Sequence, residues 1–587
     1  MSLTLLITAS AAILLTAYFT YGRYLSRLLR LDDATPTPAH TRRDGVDYVP
    51  SRAPVVLGHH FASIAGAGPI VGPVVAIAFG WIPAVLWILI GGIFFGAVHD
   101  LASMTASIRH QGRSIGEIIQ RYIGATGKRL FMIFAFATLI LVIAVFMDIV
   151  AKTFVSVPEA ASSSLLFVLL ALAFGQVQQR SNLPFWLLSA VGVALMAALI
   201  WAGTLQPLSL PYGAWIAILL GYCFLAAIAP VQVLLQPRDY LNSYLLYGML
   251  LFGVLGVFVS QPRIEMTSQI TLAVPNLGYL FPVLFVTIAC GAISGFHSLV
   301  ASGTTSKQLN CESDARRVGY GGMLIESLLA ILAIGAVAVL SRESYFSQLA
   351  SAGPVTLFSN GLGGFISSLG IPAALAVSFV ALTVSAFAVT TLDTCTRLAR
   401  FVVQESLAEI APSRGPGSAG LKEATAGHVL SFAQRAALFL GNRYAATFLV
   451  VLASVALLGT GQFQELWPIF GSANQLLAAL ALLAVTVWLT RTGVQRLFTL
   501  IPMAFMFAVT LSSLAIMVWQ QYEAGSWLLM GVAAALFVLA LALILLSRSA
   551  LSGETALLSG TPESSLDQTV SQTGGTQVKA TSRTAGS

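Results

Sequence analysis

The chain has 587 residues, of which 57% are hydrophobic and only 9% are charged, and its mean hydropathy is +0.86. A soluble domain carries roughly 25% charged residues, so this composition excludes a water-soluble fold for most of the chain. The net charge is +7, but the basic residues lie in short gaps between apolar runs, which indicates membrane topology and argues against a nucleic-acid-binding patch. The four cysteines, Cys223, Cys290, Cys311 and Cys395, are scattered and form no CxxC motif. We therefore predict neither a disulfide framework nor a zinc site.

Apolar runs long enough to cross a bilayer, about 20 residues each, recur along the chain and predict an all-α polytopic membrane protein with about fifteen transmembrane helices. The predicted spans are 3–24, 61–79, 82–105, 130–154, 163–179, 184–203, 212–230, 239–260, 278–300, 319–340, 372–394, 444–460, 466–490, 498–522 and 526–547. Placing the N-terminus outside and the C-terminus in the cytoplasm puts 27 of the 30 Lys and Arg residues on the inner side. The inner segments are then 23–60, 106–129, 180–183, 231–238, 301–318, 395–443, 491–497 and the C-terminal tail.

The domain prediction follows from these spans. Residues 1–548 form one transmembrane unit with cytoplasmic loops at 25–56 and 404–442, the second with a short amphipathic helix near 432–440. Residues 549–587 are rich in Ser, Thr and Gly and are predicted to be a disordered cytoplasmic tail. No nucleotide-binding or catalytic motif is present, so we expect no cofactor, no ATP-driven transport and no enzyme activity.

Two spans are interrupted by glycine, serine and proline. The second carries Pro69 and Pro73 among four glycines, which cannot form a uniform helix in lipid. The ninth is again rich in glycine and serine, and by the predicted topology it runs in the opposite direction. Two broken helices of opposite direction predict inverted repeats around a site at mid-membrane, whose half-helix ends would bind a carboxylate or a cation. The alternative is a kinked helix that packs closely through small residues. The predicted substrate-binding residues are Ser63, Gly66, Gly68, Ser294, Gly295 and His297.

Ionisable and hydroxyl groups within the spans are candidates for cation coupling, because a charge in lipid costs several kcal/mol. The predicted coupling residues are His99, Asp100, Thr390, Thr391 and Asp393. Two acids precede a base by four residues, Asp148 before Lys152 and Asp393 before Arg397, a spacing that allows an ion pair on one helix face. Such pairing is the alternative to a coupling role. The adjacent His59 and His60 point in different directions on a helix, so hydrogen-bonded structural roles are favoured over metal ligation.

A set of motifs, in order from residue 43 to residue 475, resembles the carbon starvation protein A family. The matching runs are 43–50 (RDGVDYVP), 58–61 (GHHF), 64–73 (IAGAGPIVGP), 112–117 (GRSIGE), 294–297 (SGFH), 302–305 (SGTT), 319–321 (GYG), 391–393 (TLD), 396–397 (TR), 466–471 (LWPIFG) and 474–475 (NQ). The resemblance implies a bacterial inner-membrane uptake protein related to the amino acid–polyamine–cation transporters. Substrates would be pyruvate or short peptides, and the coupling cation H⁺ or Na⁺. This chain lacks a large insertion of longer members before the eleventh span, and has Thr394 and Cys395 where the family has small residues.

The function that these observations favour is a secondary transporter, active during carbon starvation, that works by alternating access and is coupled to protons. The alternative is a membrane sensor or interaction protein of the starvation response that does not transport. A passive channel is a third class, and it would be insensitive to uncouplers. The number of spans and the two breaks favour transport, because a sensor needs neither.

Overall fold

The structure is a computed structural model that describes residues 2–45, 47–181, 183–229, 234–275, 277–408, 431–459 and 463–552. Helices dominate these ranges, joined by short connections. The helices are α1 Leu3–Phe19, α2 Tyr21–Leu28, α3 Pro38–Thr41, α4 Ala53–Ile64, α5 Gly68–Ala76, α6 Trp81–Gly91, α7 Ala97–Arg109, α8 Ile115–Tyr122, α9 Ala125–Ser156, α10 Pro158–Arg180, α11 Phe185–Leu205, α12 Tyr212–Ile228, α13 Leu235–Ser260, α14 Leu280–Thr287, α15 Gly295–Gly303, α16 Gly321–Ala338, α17 Arg342–Ser367, α18 Ala373–Ala408, α19 Phe432–Leu440, α20 Arg443–Leu458, α21 Phe463–Arg491, α22 Leu497–Glu523 and α23 Trp527–Ser552. Two short antiparallel strands, β1 (Ala273–Val274) and β2 (Gly278–Tyr279), precede α14.

The all-α polytopic prediction is confirmed, whereas the count of fifteen spans is not. Within the described residues, eleven helices are long and apolar enough to cross a membrane, or up to thirteen if each of two bent pairs is one span. The two remaining predicted spans are 212–230 and 278–300. The first corresponds to α12, which has only 17 residues, and the second to the short helices α14 and α15.

Both predicted breaks occur where the glycines and prolines stand. Helix α4 ends at Ile64, α5 begins at Gly68 with Pro69 in its first turn, and the two helices are bent by 47°. Proline fits a first turn because the N–H it lacks would be unbonded there. Helix α14 ends at Thr287, and seven residues pass before α15 begins at Gly295. The sequence prediction of two discontinuous helices is therefore confirmed.

The predicted polar segments have mixed outcomes. The amphipathic helix near 432–440 is present as α19, capped by a Ser431–Gln434 capping box. Helix α18 continues to Ala408, and residues 409–430 of the predicted loop lie outside the described residues. Helix α23 extends to Ser552, and the rest of the predicted tail, 553–587, also lies outside them.

Helix α15 packs directly on the backbone of α21 at Gly295. A Cβ built on Gly295 would lie 2.2 Å from the carbonyl oxygen of Asn474 and 2.3 Å from the amide nitrogen of Ala478. Both atoms belong to the main chain of α21, which is almost wholly buried and cannot move aside locally. Glycine at position 295 therefore sets the distance between the two helices.

We expect Gly295→Ala to lower the stability of the detergent-purified protein by about 1–3 kcal/mol, the usual cost of overpacking a well-packed interior. The midpoint of thermal unfolding, followed by loss of the monodisperse size-exclusion peak, measures this change. The matched control is Gly364→Ala in α17, where a Cβ would meet nothing within 4 Å. An unchanged midpoint for Gly295→Ala would mean that α15 and α21 can separate without cost.

Candidate functional site

The two breaks face each other in the interior. A Cβ built on Gly68 would lie 2.4 Å from Cys290 Sγ, and one built on Gly72 would lie 2.3 Å from the carbonyl oxygen of Thr287. Residues 68 and 72 belong to α5, whereas Thr287 ends α14 and Cys290 lies in the second break. The absence of side chains at the two glycines thus brings the interrupted segments into direct contact.

The start of α15 is held by an amide from α21. The backbone N–H of Phe296 donates to Asn474 Oδ1 at 2.9 Å, and Asn474 Nδ2 donates to Ser294 Oγ at 3.0 Å. The sequence analysis expects the half-helix ends to bind a carboxylate or a cation, and binding a carboxylate requires free backbone N–H groups. The structure differs at Phe296, because the side chain of Asn474 occupies that donor and fixes the position of Ser294.

A buried cluster of acids and histidines lies beside this helix start. His297 Nδ1 lies 2.9 Å from Asp100 Oδ2, and the other oxygen of Asp100 lies 2.8 Å from His99 Nδ1. His297 Nε2 lies 3.5 Å from Glu326 Oε2, at the outer limit for a hydrogen bond. All four residues are 0% exposed. We call this group the acid–histidine cluster; it joins α7, α15 and α16, and it contains the predicted residues His99, Asp100 and His297.

The cluster has unused proton-binding capacity. Within the described residues, neither oxygen of Glu326 has a hydrogen-bond partner, and His297 Nε2 has none either. Leaving a buried charged carboxylate without a partner is costly, and the imidazole of His297 is the titratable group that lies 3.5 Å from Glu326. Cys290 Sγ, His297 and Glu326 also have ligand-type atoms within 4.8 Å of one another. The expectation that the chain holds no metal is not tested by this spacing and stays a prediction.

The first break contacts α18 through hydroxyl and carbonyl oxygens. Thr391 Oγ1 donates to the carbonyl oxygen of Ser63 at 3.2 Å, and a Cβ built on Gly66 would lie 2.5 Å from the same hydroxyl. The hydroxyl of Ser63 donates to the carbonyl of His59. Thr390 Oγ1 accepts from Asn242 Nδ2 at 2.8 Å. Ser63, Gly66 and Thr391 therefore come together, while Thr390 faces α13.

A second buried ionic group surrounds Arg238 and is separate from the acid–histidine cluster. The guanidinium of Arg238 donates to Asp393 and to Tyr222, and its Nη2 also donates to Asp239 Oδ1 at 2.6 Å. The Tyr222 hydroxyl donates to Asp393 Oδ2 at 2.9 Å. His59 Nδ1 lies 2.9 Å from the other oxygen of Asp239. We call Tyr222, Arg238, Asp239 and Asp393 the arginine cluster.

The two predicted Asp-x-x-x-base pairs behave differently. Asp148 and Lys152 form an ion pair at 2.8 Å, and the Lys152 side chain is 54% exposed. Asp393 does not pair with Arg397; it pairs with Arg238. Arg397 instead donates to the carbonyl oxygens of Ala226 and Ala229. The idea that Arg397 neutralises Asp393 is therefore wrong, because α13 supplies a closer cation.

The adjacent histidines have structural partners, as predicted. His59 faces Asp239, while His60 Nδ1 lies 2.9 Å from Thr305 Oγ1, so the two rings point in different directions. The sequence analysis missed Arg238, which it assigned to the polar connection 231–238. The structure places Arg238 in the first turn of α13, where it is 1% exposed. The Arg–Asp pair at 238–239, directly before an apolar run, was the available signal.

Comparison with known proteins gives the family. The family model described as "Carbon starvation protein CstA" matches residues 2–352 and 346–513. The chain is 34% identical over 581 residues to the peptide transporter CstA of Escherichia coli, covering 86% of this chain and 80% of that protein. It is 32% identical to the peptide transporter CstA of Bacillus subtilis, covering 86% and 89%. It is also 38% identical over 358 residues to the pyruvate/proton symporter BtsT of Escherichia coli, covering 58% and 50%.

Among solved structures, a crystal structure of the Eremococcus coleocola manganese transporter, in complex with an aromatic bis-isothiourea substituted compound, aligns with a TM-score of 0.50. The alignment covers 86% of this chain and 99% of that chain at 13% identity, so the likeness shows the fold alone. The sequence relatives, the family model and the apolar helices agree. The chain therefore belongs to the carbon starvation protein CstA family and is a multi-pass membrane transporter.

Proposed function

We propose that this protein is a proton-coupled secondary transporter that takes up a small carboxylate such as pyruvate, or short peptides, by alternating access. The observation that carries the proposal is the acid–histidine cluster beside the start of α15, where the second break ends. Relatives named as peptide transporters and as a pyruvate/proton symporter support the same substrate classes and the same cation.

The breaks form the substrate site in this proposal. In this proposal a small carboxylate contacts the half-helix ends through backbone groups at Ser63, Gly66 and Gly68 on one side and at Ser294 and Gly295 on the other. His297 stands next to this site and connects it to Asp100 and Glu326. A proton shared by His297 and Glu326 then reduces the local negative charge, which favours entry of an anionic substrate.

Cation coupling has a second candidate position. The Thr391 hydroxyl and the Ser63 carbonyl, 3.2 Å apart, are oxygen ligands of the kind that hard cations prefer. With Thr390 and Asp393 on the same helix, this position would serve sodium rather than protons. The proton is favoured because Asp100, with His99 and His297, forms a titratable group, while Asp393 is already paired with Arg238.

The same proposal places the protein in the bacterial inner membrane. The distribution of Lys and Arg puts the N-terminus outside and the C-terminus in the cytoplasm, with residues 1–548 as one transporter unit. Its two interrupted helices would belong to inverted repeats.

The test is uptake of labelled pyruvate into cells that lack their own pyruvate carriers, with and without this protein. We expect uptake that a protonophore abolishes and that persists when sodium is replaced by choline. Excess unlabelled dipeptide distinguishes the substrate classes, because a peptide carrier would be inhibited by it.

Uptake that is insensitive to the protonophore would contradict coupling and indicate a passive channel. Absence of both pyruvate and dipeptide uptake by a protein confirmed in the membrane would favour the sensor alternative.

A further inference from the structure

A cavity of about 410 Å³ lies at the end of α15 opposite the acid–histidine cluster. Its polar and aromatic lining includes Tyr48, Arg113, Ser114, Lys307, Phe401 and Glu405. Ser302 and Gly303, in the last turn of α15, also line it. His297 precedes Gly303 by six residues, which corresponds to about 9 Å along a helix. The cavity thus lies one short helix away from the proposed substrate site.

Lys307 projects into this cavity between two aromatic rings. Its Nζ lies 5.4 Å from the ring centre of Tyr48 and 5.7 Å from that of Phe401, within the range of cation–π contacts. In the part of the chain that the structure describes, Lys307 forms no ion pair within 4.0 Å. Burial lowers the pKa of Lys307, and the carboxylates of Asp47, Glu405 and Asp44 oppose this only at longer range. A lysine held in this way has ammonium protons available to an incoming anion.

Charges of both signs surround Lys307, because the carboxylates of Asp47, Glu405 and Asp44 also act on its ammonium group. Arg397 and Arg400 lie on α18 two turns and one turn before the cavity-lining Gln404, and they are 5% and 6% exposed. Neither forms an ion pair with an acid in the described ranges; Arg397 donates to carbonyl oxygens and the Arg400 guanidinium lies over the ring of Phe401. The acid that lines the cavity, Glu405, accepts a hydrogen bond from Ser114 Oγ at 2.9 Å. A cation in low-dielectric surroundings, such as Lys307, attracts an anion more strongly than one in water.

From this geometry we propose that Lys307 binds the carboxylate of the substrate in the cavity. The cavity is then a second binding site, on the route between the proposed substrate site and the face of the protein where α8 and residues 304–318 lie. The site rests on the proposed function for its substrate, but its occupation by a carboxylate can be measured without transport. The ligand class is a small monocarboxylate such as pyruvate. An uncharged amide of the same shape would not bind.

Lysine acetylation measures this binding at a single residue, because the chain contains only five lysines. The purified full-length protein is treated with an acetylating N-hydroxysuccinimide ester, and the modification of each lysine is followed by mass spectrometry. Pyruvate at about ten times its dissociation constant is expected to slow acetylation of Lys307 about tenfold, because only the unoccupied fraction of the protein reacts. Pyruvamide is the uncharged control, and Lys152, which is 54% exposed, is the internal control residue.

Three results would overturn the proposal. The first is an acetylation rate at Lys307 that pyruvate leaves unchanged, and the second is equal protection by pyruvamide. The third is no acetylation of Lys307 without ligand, because the cavity would then not admit a small solute. An independent measurement is equilibrium binding of labelled pyruvate to Lys307→Met and Lys307→Arg. We expect the Met variant to lose a class of sites that the Arg variant keeps, and identical binding by both would also overturn the proposal.

The two hypotheses fail in different ways. A wild-type protein that shows protection of Lys307 but no pyruvate uptake would retain the carboxylate site and contradict the transport proposal. Pyruvate uptake without protection of Lys307 would support the transport proposal and contradict the carboxylate site.

Discussion

Glu326→Gln is expected to abolish accumulation of substrate against a gradient while leaving the protein folded. The variant removes the proton-accepting oxygen that lies 3.5 Å from His297 and replaces it with an amide of almost the same size. Because no described residue donates to Glu326, the substitution breaks no observed hydrogen bond. Uptake should then only equilibrate substrate across the membrane, and the inside-to-outside ratio should not exceed unity, with or without a protonophore.

The control for Glu326→Gln is the same change at Glu343, an exposed acid in the first turn of α17. That variant should concentrate substrate like the wild type. If Glu326→Gln also concentrates pyruvate normally, Glu326 does not carry the coupling proton, and Asp393→Asn becomes the decisive variant. Loss of accumulation in Asp393→Asn alone would move the coupling role to the arginine cluster.

Arg238→Gln should destabilise the protein strongly, by about 3–5 kcal/mol, because it leaves buried carboxylates without their cation. Asp239 and Asp393 are both 0% exposed, and both accept from the Arg238 guanidinium. His59 faces Asp239 but does not reach Asp393 with any observed bond. Asp393 therefore loses the most stabilisation when Arg238 is replaced. Loss of folded protein on size exclusion and a lower thermal midpoint measure the effect.

The double variant Arg238→Gln with Asp393→Asn tests the cause. Neutralising the acid should recover part of the lost stability, because the unpaired charge is removed along with its partner. Arg180→Gln, at an exposed arginine in the last turn of α10, is the matched control and should be neutral. A double variant no more stable than Arg238→Gln would show that the arginine acts through packing rather than through charge.

Local rules of sequence identified the breaks but not the ionic partners. Pro69 lacks the N–H that a helix interior needs, and both breaks contain glycine, which lowers helix propensity, so both interruptions could be predicted. The Asp148–Lys152 pair was also predictable from a local rule, because residues four apart are neighbours on one face of a helix. Arg238 and Asp393 are 155 residues apart, and no local spacing rule relates them.

The acid–histidine cluster was predicted in part. His99, Asp100 and His297 are polar residues within apolar runs and could be selected individually. That they meet depends on how α7, α15 and α16 pack, which the hydrophobic pattern of each helix does not specify. The number of spans could not be predicted accurately either, because composition does not distinguish a 17-residue helix such as α12 from a full membrane span.

The contact of Gly295 with the main chain of α21 limits which parts of the transporter can move. With no side chain between them, and with Asn474 bonded to both Ser294 and Phe296, the start of α15 is fixed against α21. A change between outward-open and inward-open states must then bend the chain elsewhere. The seven residues between α14 and α15 belong to no helix and contain only isolated turn hydrogen bonds, such as the one from Ile293 N–H to the carbonyl oxygen of Ala289. We therefore expect a hinge of the proposed transport cycle at residues 288–294, with α15 carrying His297 together with α21.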